Sequence, residues 1–184
     1  MAGPGWRFCI WVQGCSRQCK GCMAKDTWSH TGGVAMDIED VFDAVIATSD
    51  IEGVTFLGGE PFEQSEEVSA IAKKLHSTGL SIVTFTGFTY DELTSADNPA
   101  YIRLLEATDL LIDGSFMHDK FDLSRPWVGS SNQRYNFLTD RYNERDIADI
   151  SNQIEIRIAP NGKTLINGMG DFSKIETLLK QRRK

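Results

Sequence analysis

Three cysteines fall within eight residues, Cys15-Ser-Arg-Gln-Cys19-Lys-Gly-Cys22, and this C-x3-C-x2-C run is the chain's strongest chemical signal. In a reducing compartment, grouped cysteines read first as thiolate ligands to a soft metal or an iron–sulfur cluster rather than as a disulfide framework. A structural zinc site closes with four ligands. Three thiolates leave one iron of a [4Fe-4S] cluster without a protein sulfur, and such an iron is open to an outside ligand. The spacing alone also accommodates a zinc knuckle completed by His30 or Cys9, or three reduced cysteines that bind nothing. Cys9 lies in the apolar run Phe8-Cys9-Ile10-Trp11-Val12 and reads as a core residue. The chain then has no thiolates for a second cluster.

A second constellation is Val54-Thr55-Phe56-Leu57-Gly58-Gly59-Glu60-Pro61, a strand running into two glycines, a carboxylate and a proline. Adjacent glycines let the backbone approach a ligand closely, and Glu60 offers an acceptor at the strand end, where open α/β sheets bind ligands. A cationic amine would suit Glu60; the plainer reading is a Gly-Gly turn with a solvated carboxylate. Thr86 and Gly87 end another apolar strand, and Asp113 ends a third before Gly114. Asp113 reads equally as a ligand-facing carboxylate or as a turn cap. Trp28, near the cysteines, reads as shielding or packing. His30, His76 and His118 show no paired metal spacing, and His76 reads as a helix-surface residue. No side chain is assigned a catalytic role.

The elements that must position these residues alternate between strands and helices, an α/β rhythm with no long linker or repeat. Strands are expected at 8–12, 54–57, 81–86, 110–112 and 154–158, most of them short apolar runs of the kind buried on both faces of a parallel sheet. Helices are expected after Asp37, after Ser65 with Gly79 ending it, after Asn98-Pro99, and after the capping box Ser173-x-x-Glu176. The stretch from Phe116 to about Asn152 carries no regular pattern.

At 184 residues the chain is the size of one domain, with 41% hydrophobic and 24% charged residues as in ordinary globular proteins. The net charge of −7 argues against a nucleic-acid partner. The basic run Lys180 to Lys184 reads as a solvated helix end. No apolar run reaches bilayer length and no secretory signal opens the chain, so a cytoplasmic protein without a membrane partner is expected.

Taken together, the motifs resemble the radical S-adenosylmethionine (SAM) superfamily, and within it the activating enzymes of glycyl radical enzymes. The matching residues are Gly3-Pro4-Gly5 with Arg7, Gln13-Gly14-Cys15, the three cysteines, Asp26-Thr27-Trp28 with Gly32-Gly33, and Gly58-Gly59-Glu60-Pro61. Thr86-Gly87, Asp113-Gly114-x-Phe116 and Gly129-Ser130-Ser131-Asn132-Gln133-Arg134 also resemble that group. The resemblance implies a partial (β/α)6 barrel in a single domain spanning residues 1–184. It implies a [4Fe-4S] cluster on Cys15, Cys19 and Cys22, with SAM bound at its fourth iron and along the strand ends at Gly58, Gly59, Glu60, Pro61, Thr86 and Asp113. Glu60 would sit near the SAM ammonium, and Ser130 to Arg134 would close over the site or hold a partner.

The implied reaction is reductive cleavage of SAM to a 5′-deoxyadenosyl radical. The implied partners are a glycyl radical enzyme, or another protein or peptide substrate, and a reductant such as flavodoxin or ferredoxin. A minimal enzyme acting on a small molecule, nucleotide or peptide shares the same motifs. The chain departs from many relatives in having Gly21 in place of an aromatic residue before the third cysteine, and Ala24 in place of a polar Asn. It also begins almost at Gly3-Pro4-Gly5, where relatives usually have a preceding strand, which is consistent with a shortened N-terminus.

Overall fold

The computed structural model describes residues 2–162, 164–168 and 170. Its frame is a five-stranded sheet in chain order: β1 (Arg7–Val12), β2 (Gly53–Gly58), β3 (Ser81–Phe85), β4 (Leu110–Asp113) and β5 (Arg134–Phe137). The first four strands are parallel and β5 is antiparallel to β4. The crossovers are α1 (Ile38–Ile46), α2 (Ser65–His76), and the pair α3 (Tyr90–Ser95) and α4 (Pro99–Glu106). Beyond β5 lie α5 (Glu144–Ala148) and a hairpin of β6 (Ile154–Ile158) with β7 (Thr164–Gly168).

Strand alternation sorts the side chains onto two faces. Val12, Val54, Phe56, Ile82 and Leu111 point to the helices and bury against Val45, Val68, Ile71, Leu75 and Leu104. Val83, Leu110 and Ile112 point the other way and are covered by Trp127, Val128 and Ile147. With both faces covered, the apolar strands need no polar alternation.

The expected partial (β/α)6 barrel is replaced, among the described residues, by an open five-stranded sheet with four parallel strands and one antiparallel. A parallel neighbour for β4 would require a crossover, usually helical. After Asp113 the chain instead folds back through a loop whose regular part is one 3-10 turn, His118–Lys120, so β5 returns antiparallel with Arg134 opposite Asp113. The segment 154–158 is a strand as expected, but it pairs with β7 outside the main sheet, and Ile156 and Ile158 are exposed.

Two caps also differ from expectation. The Asp37 side chain makes no cap hydrogen bond, and Ser65 lies inside α2 after a 3-10 turn at Pro61–Gln64 rather than capping it. Asn98 does cap α4, accepting from Ala100 N–H at 3.0 Å, and Gly79 ends the α2 turn at φ +90°. The helix expected at Ser173 and the basic run after it lie outside the described residues. Among the described residues no helix is long and apolar enough to cross a membrane.

Arg7 locks the opposite, N-terminal edge of the sheet. Its guanidinium is buried and donates to Thr55 Oγ1 at 2.8 Å, to the Val54 and Ser81 carbonyls at 2.7 Å each, and to Ser81 Oγ at 2.9 Å. It thereby stitches three strands, and Tyr142 and the Pro4 carbonyl also accept from it. Burial pushes the Arg7 pKa down, against the pull of Tyr142, Cys9 and Asp109, and its direct hydrogen-bond partners are hydroxyl and carbonyl oxygens. Arg7→Leu strands several buried acceptors and should cost about 3 kcal/mol or more in urea unfolding of the metal-free protein. A loss below about 1 kcal/mol would contradict this role.

Candidate metal centre

The cysteine loop is a closed excursion from the end of β1. Gly14 N–H donates to the Thr27 carbonyl at 2.8 Å and Cys15 N–H to the Trp28 carbonyl at 3.0 Å, so the chain returns beside its starting point. A tight turn with Cys22 N–H on the Cys19 carbonyl at 3.0 Å shapes the far end. Gly21 within that turn has φ +86°, and a Cβ there would lie 3.0 Å from His118 Cδ2 and 3.2 Å from Phe116 Cε1. This accounts for the missing aromatic at position 21: side chains arriving from beyond β4 fill that space.

Two side-chain clamps hold the loop. Glu63, just past the Gly-Gly-Glu-Pro motif, accepts from Ser16 N–H at 2.8 Å and pairs with His30 Nε2 at 2.8 Å. Arg17 reaches across the strand ends, where its Nε donates to Ser115 Oγ at 2.9 Å and its guanidinium lies 4.4 Å from the Phe88 ring centroid. Ser115 Oγ in turn donates to the Gly87 carbonyl at 2.8 Å. Sequence reasoning missed Arg17, Glu63 and Ser115. Arg17 was detectable as the one cation between the first two cysteines.

All four cysteines are free and half-buried, so Cys9 is less enclosed than its apolar run suggests. Burial pushes the Cys15 thiol up, opposed by backbone N–H groups of Gln18 and Arg17 and reinforced by the carboxylates of Glu60 and Glu63. Metal binding must therefore displace a proton there. A tetrahedral single-ion site holds its sulfurs about 3.8 Å apart. Among the described residues no group of three or more His, Cys, Asp or Glu side chains is arranged to hold a single metal ion. His30 is engaged by Glu63. Three soft donors at C-x3-C-x2-C spacing on one short loop suit an iron–sulfur cluster.

The loop sits beside the C-terminal ends of β2, β3 and β4, and the sequence-selected residues gather there. Gly59 N–H donates to the Val12 carbonyl and Glu60 N–H to the Gly14 carbonyl, both at 2.8 Å. A Cβ on Gly59 would lie 2.2 Å from the Gly14 carbonyl oxygen. The glycines thus serve a close approach to the β1 turn, a reason additional to any ligand.

Glu60, expected as an acceptor facing a ligand amine, is 1% exposed and already used inside the protein. It accepts from Thr86 Oγ1 at 2.8 Å, Gly87 N–H at 2.8 Å and Phe62 N–H at 3.1 Å, joining the ends of β2 and β3. Buried Asp113 acts as a turn anchor, accepting from Tyr90 N–H at 2.6 Å and from Arg134 Nε and Nη2 at 3.1 and 2.7 Å. The Ser130 to Arg134 segment is sewn onto β4, with Asn132 Nδ2 donating to the Ser115 carbonyl at 2.8 Å. Asn132 Oδ1 is buried and has no hydrogen-bond partner among the described residues. Next to the cysteine turn, Lys20, Phe116, Met117, His118 and Asp119 line a concavity of about 340 Å³. His76 lies away from the cysteines on α2, with Nε2 3.3 Å from Asp109 Oδ1.

Burial raises the Glu60 pKa to about 7, against the pull of its Gly87, Thr86 and Phe62 donors and of the Arg17 charge. Between pH 4.5 and about 7 the folded protein retains a proton that the unfolded chain has lost, so this group's contribution to stability falls as pH rises. In the metal-free protein, the stability of wild type relative to Glu60→Gln should decline by up to about 3 kcal/mol across that window in urea titrations. A difference that does not change with pH would contradict the assignment.

Comparison with known proteins agrees with this site. A family described as "4Fe-4S single cluster domain" matches residues 1–136. The anaerobic ribonucleoside-triphosphate reductase-activating protein of Salmonella typhimurium is 32% identical over 139 residues, covering 71% of this chain and 88% of the relative. Proteins of the same name from Vibrio cholerae serotype O1 and Enterobacteria phage T4 are 33% identical over 140 residues and 28% over 144, covering 71% and 75% of this chain and 87% and 88% of the relatives. A single cysteine loop held at the end of β1, a family match over most of the described fold and relatives of one name lead to one assignment: the chain belongs to the anaerobic ribonucleoside-triphosphate reductase-activating protein family, within the glycyl radical activating enzymes of the radical SAM type.

Proposed function

We propose that this protein activates an anaerobic ribonucleotide reductase, using a [4Fe-4S] cluster held by Cys15, Cys19 and Cys22 and SAM bound along the adjoining strand ends. The observation that carries the reading is the loop itself: three free thiols within eight residues, clamped through Ser16 and Arg17 at the C-terminal edge of the parallel strands. Held by Cys15, Cys19 and Cys22, such a cluster would supply the single electron for reductive cleavage of SAM, the chemistry by which hydrogen would be taken from a backbone glycine of the partner.

The chain's own residues hold the parts. Glu60 and Thr86 fix the β2 and β3 ends against each other, so Gly58, Gly59 and Pro61 present a rigid backbone to the cofactor. Asp113 fixes Arg134, and with it the segment carrying Asn132. The unpartnered Asn132 Oδ1 is an acceptor suited to a cofactor hydroxyl or amine. Glu92 lies 3.6 Å from the Arg17 guanidinium, whose stem packs over Gly87 at the end of β3. The electron comes from a flavodoxin- or ferredoxin-type reductant, and the setting is the cytoplasm.

Anaerobic reconstitution with iron and sulfide, followed by SAM and dithionite, should yield 5′-deoxyadenosine. Adding the ribonucleotide reductase should yield a glycyl radical signal by electron paramagnetic resonance. Alanine at Cys15, Cys19 or Cys22 should abolish both, whereas Cys9→Ala should leave iron content unchanged. Absence of 5′-deoxyadenosine from iron-loaded wild type would overturn the reading. Its formation without a radical on the reductase would move the activity to a small molecule, nucleotide or peptide.

A further inference from the structure

Trp28 carries an unmet demand. Its indole Nε1–H is buried and has no hydrogen-bond partner among the described residues. Indole nitrogen is a donor only, so the demand is for an acceptor, and buried donors in folded proteins are almost always satisfied. An orphan of this kind costs about 1–3 kcal/mol. The Trp28 backbone, by contrast, is paired at both its N–H and its carbonyl. The Trp28 carbonyl accepts from Cys15 N–H at 3.0 Å, and Trp28 N–H donates to the Lys25 carbonyl at 3.2 Å. The preceding 3-10 turn, Lys25–Thr27, is pinned by Thr27 Oγ1 donating to the Ala24 carbonyl at 2.7 Å. Trp28 is thereby tied through its backbone to Cys15, the first candidate ligand, and follows the last one by six residues. The Lys25 ammonium, 5.9 Å from the ring centroid, lies within reach of the indole face and adds positive potential there.

We propose that the Trp28 indole N–H is reserved for the iron–sulfur cluster and donates a hydrogen bond to one of its sulfurs, a bridging sulfide or a cysteine thiolate. This inference rests on the cluster assignment made above. Sulfur-rich anionic clusters accept such bonds, and hydrogen bonds to their sulfurs set their potentials. A donor at a sulfur stabilises the reduced, more negative cluster more than the oxidised one. Trp28 therefore makes the cluster easier to reduce. In this role it acts as a redox-tuning residue and is neither a ligand nor a catalytic group. The reading of Trp28 as mere shielding predicts no such directional effect.

The test is a redox titration of reconstituted wild type and Trp28→Phe, followed by electron paramagnetic resonance of the reduced cluster. Phenylalanine keeps an aromatic ring and removes the N–H. The reduced-to-oxidised ratio at a fixed potential should fall threefold to tenfold in the variant, a downward shift of up to about 59 mV for one electron. Wild type grown with indole-15N tryptophan should also show a 15N hyperfine coupling to the reduced cluster. This second measurement needs no variant to fold. Equal potentials in wild type and Trp28→Phe, or a labelled wild type with no 15N coupling, would overturn the proposal. Wild type that forms no iron–sulfur chromophore would instead sink the underlying cluster assignment, so the two failures are distinguishable.

Discussion

The site depends on one backbone contact, the seating of the Gly59-Glu60 peptide against the turn at Gly14. The two hydrogen bonds there, from Gly59 to Val12 and from Glu60 to Gly14, continue the β1–β2 ladder past the strands themselves. They fix where the chain leaves β1, and hence where Cys15 begins the loop. The approach is close enough that only glycine fits at position 59. From this seam Glu60 extends the order sideways to Thr86 and Gly87 on β3. Arg17 carries it to Ser115 beyond β4. The loop is therefore referenced to three strand ends at once, and its shape is set before any metal arrives.

This arrangement also explains why so many charged groups near the centre face inward, to one another. Glu60, Asp113 and Glu63 each spend their oxygens on backbone N–H groups or on a neighbouring side chain. Buried carboxylates are tolerated only when satisfied in this way. They act as joints of the frame, and the groups free to meet a cofactor are fewer and less obvious. Asn132 Oδ1 and Trp28 Nε1 stand out because every other buried side-chain nitrogen or oxygen among the described residues has a partner.

Much of this was legible in the sequence. The strands carrying Phe8 to Val12, Val54 to Leu57 and Leu110 to Ile112 are short apolar runs whose positions followed from that pattern; the latter two are largely buried, whereas the edge strand β1 leaves Trp11 exposed. The cysteine spacing and Gly58-Gly59-Glu60-Pro61 marked the two sides of the site. The open sheet was not legible, because nothing in the pattern from Phe116 onward distinguishes a fold-back from a crossover. β5 reads Arg-Tyr-Asn-Phe, with one exposed and three half-buried residues, which is weak as a strand signal. The clamps made by Arg17 and Glu63 were hidden for another reason: their contacts with Ser115 and Ser16 join residues 98 and 47 positions apart, and such pairings appear only once the strands are in register. Glu60 was found by its motif, yet its inward role depends on Thr86 and Gly87 arriving from the next strand.

What distinguishes this reading from a closed metal knuckle is an iron with no protein thiolate. The decisive observation is the Mössbauer spectrum of protein reconstituted with 57Fe, recorded with and without SAM. One iron in four should change its parameters when SAM is added while the other three keep theirs. Four irons that all ignore SAM, or cysteines saturated by zinc with no sulfide present, would contradict the account.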